Sequence, residues 1–119
     1  MKIFDCFMYF DEDMILDLRL NILNKYVDNF VIVESTYNHK GEKRKLKFNQ
    51  KKFENFRGKI TYLVHDEIPS EIESISNNDS ESEKSGKLIM NALYRESGQR
   101  NFIMNGLKNA NSEDIILIS

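Results

Sequence analysis

The chain has 119 residues, 40% of them hydrophobic and 30% charged, with a net charge of −2 and a single cysteine. That is about one domain, able to bury a core and too apolar for a disordered tail. Cys6 alone excludes an internal disulfide framework, and its apolar neighbours mark it as a small core side chain rather than a nucleophile. No apolar run approaches the 18 or so residues of a membrane helix, and no signal peptide precedes the first strand-like segment, so the expected location is cytoplasmic.

Residues 2–10 are nearly continuous in apolar and aromatic side chains, interrupted only by Asp5. Such a run suits a strand covered on both faces, as in a parallel sheet. Asp11, Glu12 and Asp13 follow, and then Ile15, Leu18, Ile22 and Tyr26 recur at helical spacing, with Leu16, Leu20 and Leu23 widening the stripe. Acids at a helix start complement its dipole, and Asp11 or Asp13 is suited to cap the free amides. Residues 29–35, short and β-branched, predict a second strand. Within the basic stretch that follows, residues 51–56 predict a short helix, and residues 59–65 a third strand closed off by Pro69, the only proline.

Residues 76–86 contain no apolar side chain and read as a mobile loop. A helix is expected over residues 88–107, carried by Ile89, Leu93, Phe102, Ile103 and Leu107, with Gly98 a point of kinking or division. After a turn, residues 114–119 predict a fourth buried strand. Strands separated by helical crossovers, with no internal repeat and no linker, argue for a single α/β domain over residues 1–119: a mostly parallel open sheet with flanking helices. An open α/β sheet covers its last strand with a further helix and places its ligand beyond the carboxyl ends of the strands. Here the chain stops on that strand, which reads as half of a larger unit and leaves a strand open to self-association.

Nine Lys and Arg lie between positions 40 and 59 against Glu42 and Glu54, a local charge of +7. Such a segment attracts phosphate, nucleic acid or an anionic membrane; the plainer reading is a solvated face balanced by acids such as Glu71, Glu73, Asp79, Glu81 and Glu83. Phe48, Phe53 and Phe56 interleave with the lysines, as on a single-strand nucleic-acid surface, or else anchor the loop onto the sheet. Asp11-Glu12-Asp13 has the spacing of an Asp-x-Asp pair for a hard cation, although acids before an amphipathic helix are also a common start signal. Glu34 and Ser35, at the end of the second strand, can accept sugar or ribose hydroxyls, and Glu34 can equally pair with an arginine from the late helix. His39 and His65 have no partners at metal spacing. Ser85-Gly86-Lys87 is not a phosphate loop, because Leu88 stands where Ser or Thr should be and the upstream glycine is missing. No Gly-x-Ser-x-Gly elbow occurs.

Four segments in order carry a resemblance: residues 10–20 (Phe-Asp-Glu-Asp-Met-Ile-Leu-Asp-Leu-Arg-Leu), 27–35 (Val-Asp-Asn-Phe-Val-Ile-Val-Glu-Ser), 99–107 (Gln-Arg-Asn-Phe-Ile-Met-Asn-Gly-Leu) and 114–119 (Asp-Ile-Ile-Leu-Ile-Ser). Together they resemble the amino-terminal half of glycosyltransferase family 17, which includes the bisecting β-1,4-mannosyl-glycoprotein N-acetylglucosaminyltransferases. The resemblance implies a GT-A-like fold and transfer of a sugar, N-acetylglucosamine, from a UDP-sugar to a carbohydrate acceptor. It also implies a divalent metal, Mn or Mg, that stabilises the leaving diphosphate in the complete enzyme. The family's Asp-x-Asp-Glu metal motif follows the strand that here ends at Ser119. By that resemblance the metal site lies outside this chain, which is expected to be a truncated form, inactive alone.

Carried over by position, the donor-binding candidates are Glu12, Glu34, Ser35, Arg100 and Asn101. Glu12 matches the acid after the first strand and would face the donor; Glu34 and Ser35 match the end of the second, near the nucleoside. Arg100, beside Asn101 in the Gln-Arg-Asn segment, would neutralise a phosphate or lock Glu34 by a two-pronged salt bridge. Each can instead be a structural cap or ion pair. The alternative function is a non-catalytic α/β binding module that grips nucleic acid or another polyanion through residues 40–59.

Overall fold

The computed structural model describes all of residues 1–119. Strands β1 (Ile3–Tyr9), β2 (Asn29–Ser35), β3 (Ile60–His65) and β4 (Ile115–Ile118) form one sheet in the order β3-β2-β1-β4, with every pairing parallel. The sheet is flanked by helices α1 (Asp13–Leu23) and α2 (Glu81–Asn101) and by two 3-10 stretches, Gln50–Lys59 and Phe102–Gly106. The α/β architecture expected from the alternation of strands and helices is the one observed.

Strand alternation sorts the core into two layers. On one face Phe7, Tyr9, Phe30 and Ile32 pack against Leu16 and Leu20 of α1, Val27, and Phe53 and Phe56 of the first 3-10 stretch. On the other, Phe4, Cys6, Val31 and Val33 meet Ile103, with Phe102 and Leu107 beside it. The close approach on this second face requires glycine: a Cβ on Gly106 would stand 2.6 Å from Val31 Cγ1. The connections from β1 to β2 to β3 run over the first face, and the return from β3 to β4 runs over the second. Opposite displacement over opposite faces gives both crossovers the same hand.

Asp5, which interrupts the first apolar run, lies buried in the middle of β1. Arg19 of α1 grips it with two prongs, Nε–Oδ2 at 2.7 Å and Nη2–Oδ1 at 2.6 Å, and donates to Ser119 Oγ at 2.8 Å. The same guanidinium lies 4.1 Å from the Phe7 ring centroid. This pairing sets the rotation of α1 and corrects the expected stripe. The buried positions are Leu16 and Leu20, whereas Ile15, Leu18, Ile22 and Tyr26 point outward, Leu18 and Ile22 each 58% exposed.

The start of α1 also differs from expectation. Glu12 is the N-cap residue, without a side-chain cap, because its carboxylate turns back onto the amides of Phe10 (2.9 Å) and Asp11 (2.8 Å). Asp13 does not cap either; it accepts from the Tyr9 hydroxyl and from Lys52 Nζ at 2.9 Å.

Helix α2 begins inside the segment expected to be a loop. Ser80 Oγ accepts from the Glu83 amide at 3.1 Å and donates to Glu83 Oε1 at 3.2 Å, the Ser-x-x-Glu pairing that starts helices. The helix passes through Gly98 unbroken and gives way to the 3-10 stretch after Asn101. Leu88, Ile89 and Leu93 are exposed, and the buried contacts are amides instead. Asn91 exchanges two 2.9 Å hydrogen bonds with the Glu73 backbone, and Gln99 Nε2 donates to the Val33 carbonyl at 3.2 Å. Strand β4 is likewise not buried: it pairs only with β1, and Ile115, Leu117 and Ile118 are exposed. No helix is long and apolar enough to cross a membrane.

The Ser80 cap should be separable from the sheet. Replacing Ser80 with Ala is expected to cost about 1 kcal/mol in urea unfolding. Amide exchange should quicken in the first turn of α2 and stay unchanged in β1 and β2; an unchanged first turn would show that the cap contributes nothing.

Candidate functional site at the carboxyl ends of the strands

Strand order reverses between β1 and β4, because β2 and β3 extend the sheet to one side of β1 and β4 returns to the other. In open parallel sheets the ligand crevice lies beyond the carboxyl ends at such a reversal. Here a hollow of about 190 Å³ occupies that place, lined by Phe7, Tyr9, Glu12, Ile15 and Arg19 among others. Glu12 is thus the sequence-derived candidate at the switch point.

The crevice between β1 and β2 is filled from within. Glu34 is fully buried at the end of β2 and accepts from the amides of Lys47 (2.6 Å) and Phe48 (3.1 Å) and from the Tyr62 hydroxyl (2.6 Å). Arg44 Nη1 completes the set at 2.9 Å. Arg44 also donates to the Ser35 carbonyl at 2.7 Å and to the Phe10 carbonyl, so one guanidinium ties the ends of both strands. Burial and the bond to Glu34 push the Tyr62 hydroxyl above its usual range, which keeps it a donor at neutral pH.

The expected lock between Arg100 and Glu34 is therefore absent. Arg100 instead bridges Glu96 one turn earlier, at 2.7 Å. Ser35 Oγ accepts from the Tyr37 amide at 3.2 Å and is buried. Asn101 lies in a different cleft, between the end of β3 and α2. The five candidates thus fall in separate surroundings: Glu34 and Ser35 are buried, whereas Glu12, Arg100 and Asn101 reach solvent.

The basic loop contains residues that the sequence did not single out. It folds back at Gly41, whose φ of +88° and whose approach to Arg95 leave no room for a side chain; a Cβ would stand 2.5 Å from Arg95 Nη2. Arg95 Nη1 donates to the His39 carbonyl at 2.9 Å, fastening the loop to α2. Phe53 and Phe56 are buried in the core, and Phe48 stacks on Tyr62 with ring centroids 4.7 Å apart. Those rings anchor the loop and are not free as a stacking platform for bases. Lys40, Lys43, Lys45, Lys47 and Lys51 remain exposed at this end of the sheet.

The acids Asp11, Glu12 and Asp13 do not form a cation site, since Glu12 faces backbone amides and Asp13 faces Tyr9 and Lys52. No three His, Cys, Asp or Glu side chains converge anywhere in the structure, so these residues do not fit the divalent metal implied by the resemblance. Cys6 is buried, and burial together with nearby Asp5 pushes its thiol up to about 11, which makes it inert.

An open parallel sheet with flanking helices, a hollow at its switch point and lysines around its carboxyl end places the chain in the α/β class. The family is shown by the sequence itself: the family model of glycosyltransferase family 17 matches residues 1–117, and this chain belongs to that family. No curated protein and no solved structure gives a significant match.

Two measurements check this site. Replacing Arg44 with Met leaves Glu34 buried and unpaired, and is expected to lower stability by about 3–5 kcal/mol in urea unfolding. The Glu34→Gln/Arg44→Met double variant should recover part of that loss; a single variant within about 1 kcal/mol of the parent contradicts the pairing. The second concerns His65, whose burial lowers its pKa below the usual 6.5. Above that value neither the folded nor the unfolded chain carries the proton. As pH falls through it, the unfolded chain binds the proton first, so stability declines toward the folded pKa. Unfolding followed from pH 7.5 to 5 should show this decline in the parent, and His65→Phe should remove that part of it.

Proposed function

We propose that this domain binds the donor of a glycosyl transfer in a GT-A-like manner. The donor is a UDP-sugar and the transferred sugar N-acetylglucosamine, passed to a carbohydrate hydroxyl. The activity class, a glycosyltransferase, follows from family membership. The observation that carries the reading further is the hollow at the β1/β4 reversal, where α/β folds take up nucleotide ligands and where Glu12 lies.

In such a reaction the acceptor oxygen forms a bond to the anomeric carbon while the bond from that carbon to the diphosphate breaks. The acceptor hydroxyl loses a proton and UDP leaves as an anion. In the family a divalent metal would supply charge stabilisation for the diphosphate. What these residues offer is long-range attraction, since five exposed lysines in the basic loop favour an anionic donor over a neutral one. On this reading Glu12 accepts hydrogen bonds from hydroxyls of the ribose or sugar.

Amide NMR of the full 119-residue chain, titrated with UDP-N-acetylglucosamine, tests the reading. Binding at about 1 mM, near −4 kcal/mol, is expected. Shifts should centre on residues 10–13 and Ser119, and affinity should fall as salt is raised. Equal binding of GDP-mannose would remove the uridine preference, and absence of shifts around Glu12 at saturating donor would remove the site.

A further inference from the structure

A second and larger cleft, about 470 Å³, lies between the carboxyl end of β3 and α2, away from the switch-point hollow. Its volume is in the range of small-molecule sites. His65 lines it, only 4% exposed, and Nδ1 is sealed from solvent with no hydrogen-bond partner. A buried polar atom without a partner is costly and calls for an explanation. Gly98 of α2 runs beside this imidazole, where a Cβ would lie in ordinary van der Waals contact, 3.6 Å from His65 Cε1.

The rest of the lining fixes the chemistry. The only charged residues are Glu67 and Glu71, and there is no Lys or Arg, so a diphosphate or a nucleic-acid strand is repelled. Ser97, Asn101 and Asn105 supply groups that both donate and accept, and Phe102 supplies an aromatic wall whose ring meets His65 edge-on at 5.1 Å. Hydroxyls that donate to carboxylates and accept from amides, on a ring with apolar C–H faces, satisfy all of these at once.

We infer that this cleft is a subsite for a neutral sugar ring, distinct from the donor hollow; the choice of a sugar over other polyols rests on the glycosyltransferase reading. Asn101, carried over as a donor-binding candidate, belongs to this subsite. Glu67 and Glu71 accept from sugar hydroxyls, and Ser97 and Asn101 orient the ring from the helix.

The test is NMR of the full chain, with the His65 imidazole nitrogens observed directly, titrated separately with methyl α-mannoside, N,N′-diacetylchitobiose, inorganic pyrophosphate and UDP. At least one glycoside is expected to shift the imidazole and the amides of Ser97 and Asn101, while pyrophosphate and UDP leave them unmoved. Ser97 is exposed on the helix, so Ser97→Leu fills the cleft with a good helix former. It should weaken the glycoside at least about tenfold with an unchanged circular dichroism spectrum. Asn101→Ala, at the helix end, should weaken it in the same direction. Pyrophosphate shifts at His65, full-strength binding to Ser97→Leu, or no glycoside shift would each overturn the assignment. UDP shifts around Glu12 without glycoside shifts at His65 would overturn it while leaving the donor reading intact. Glycoside shifts at His65 without UDP binding would support it and remove the donor reading.

Discussion

A carboxylate with no solvent exposure and four donors around it organises the carboxyl end of this sheet. Glu34 survives in the core as an acceptor for Arg44, the Tyr62 hydroxyl and two backbone amides, three of these donors coming from the loop after β2 and one from β3. An unpaired charge there costs several kcal/mol, so the loop after β2 must come back to the sheet to supply its donors. Once it does, Phe48 is delivered onto Tyr62, and Phe53 and Phe56 seal the β2–β3 half of the first face. In place of a covering helix, that half carries a 3-10 stretch held by the buried Phe53 and Phe56 and by the Lys52–Asp13 ion pair.

Asp5 and Arg19 repeat the arrangement on the neighbouring strand. Both carboxylates lie on the face covered by α1, and each is met by an arginine from the connection crossing that face. Such pairs are weak sources of net stability, because desolvation offsets much of the attraction. Their effect here is geometric. Arg19 fixes which side of α1 faces the sheet, and Arg44 fixes where the loop lands. Arg44 also holds the Phe10 and Ser35 carbonyls, so the crevice between β1 and β2 is closed by the protein itself. Space for ligands is left on the two flanks, at the β1/β4 reversal and beside β3.

Much of this was legible in the sequence, and the failures have physical causes. Strands β1, β2 and β3 announce themselves because a strand buried on both faces needs an apolar run, and the parallel sheet follows from the spacing between runs. The buried side of α1 was not decidable by periodicity. Positions 15, 18, 22 and 26 are as apolar as 16, 20 and 23, and the choice is made by Asp5, a residue outside the helix. The start of α2 was legible in principle, since Ser80 and Glu83 have cap spacing, but polar composition concealed it. Arg100 lay at (i, i+4) spacing from Glu96, and that local partner outcompetes a distant one. Arg44 could not have been picked out among nine basic residues, because its partner is fixed only once the loop has folded.

Charge separates along the carboxyl end in a way that bears on how two substrates could be kept apart. The loop between β2 and the first 3-10 stretch presents four exposed lysines and Lys51 adds a fifth at the start of that stretch, whereas the cleft beside β3 presents only carboxylates among its charged residues. Arg95 stands between the two regions and ties the loop to α2 through the His39 carbonyl. An anionic nucleotide-sugar and a neutral glycan respond differently to such a field: the first would be drawn toward the lysines and excluded from the carboxylates, while the second is indifferent to net charge and selected by hydrogen bonds. Discrimination of this kind needs no contact between the sites. It follows from the basic stretch at +7 and the acids that dominate the rest of the chain, which is why the total of −2 conceals it.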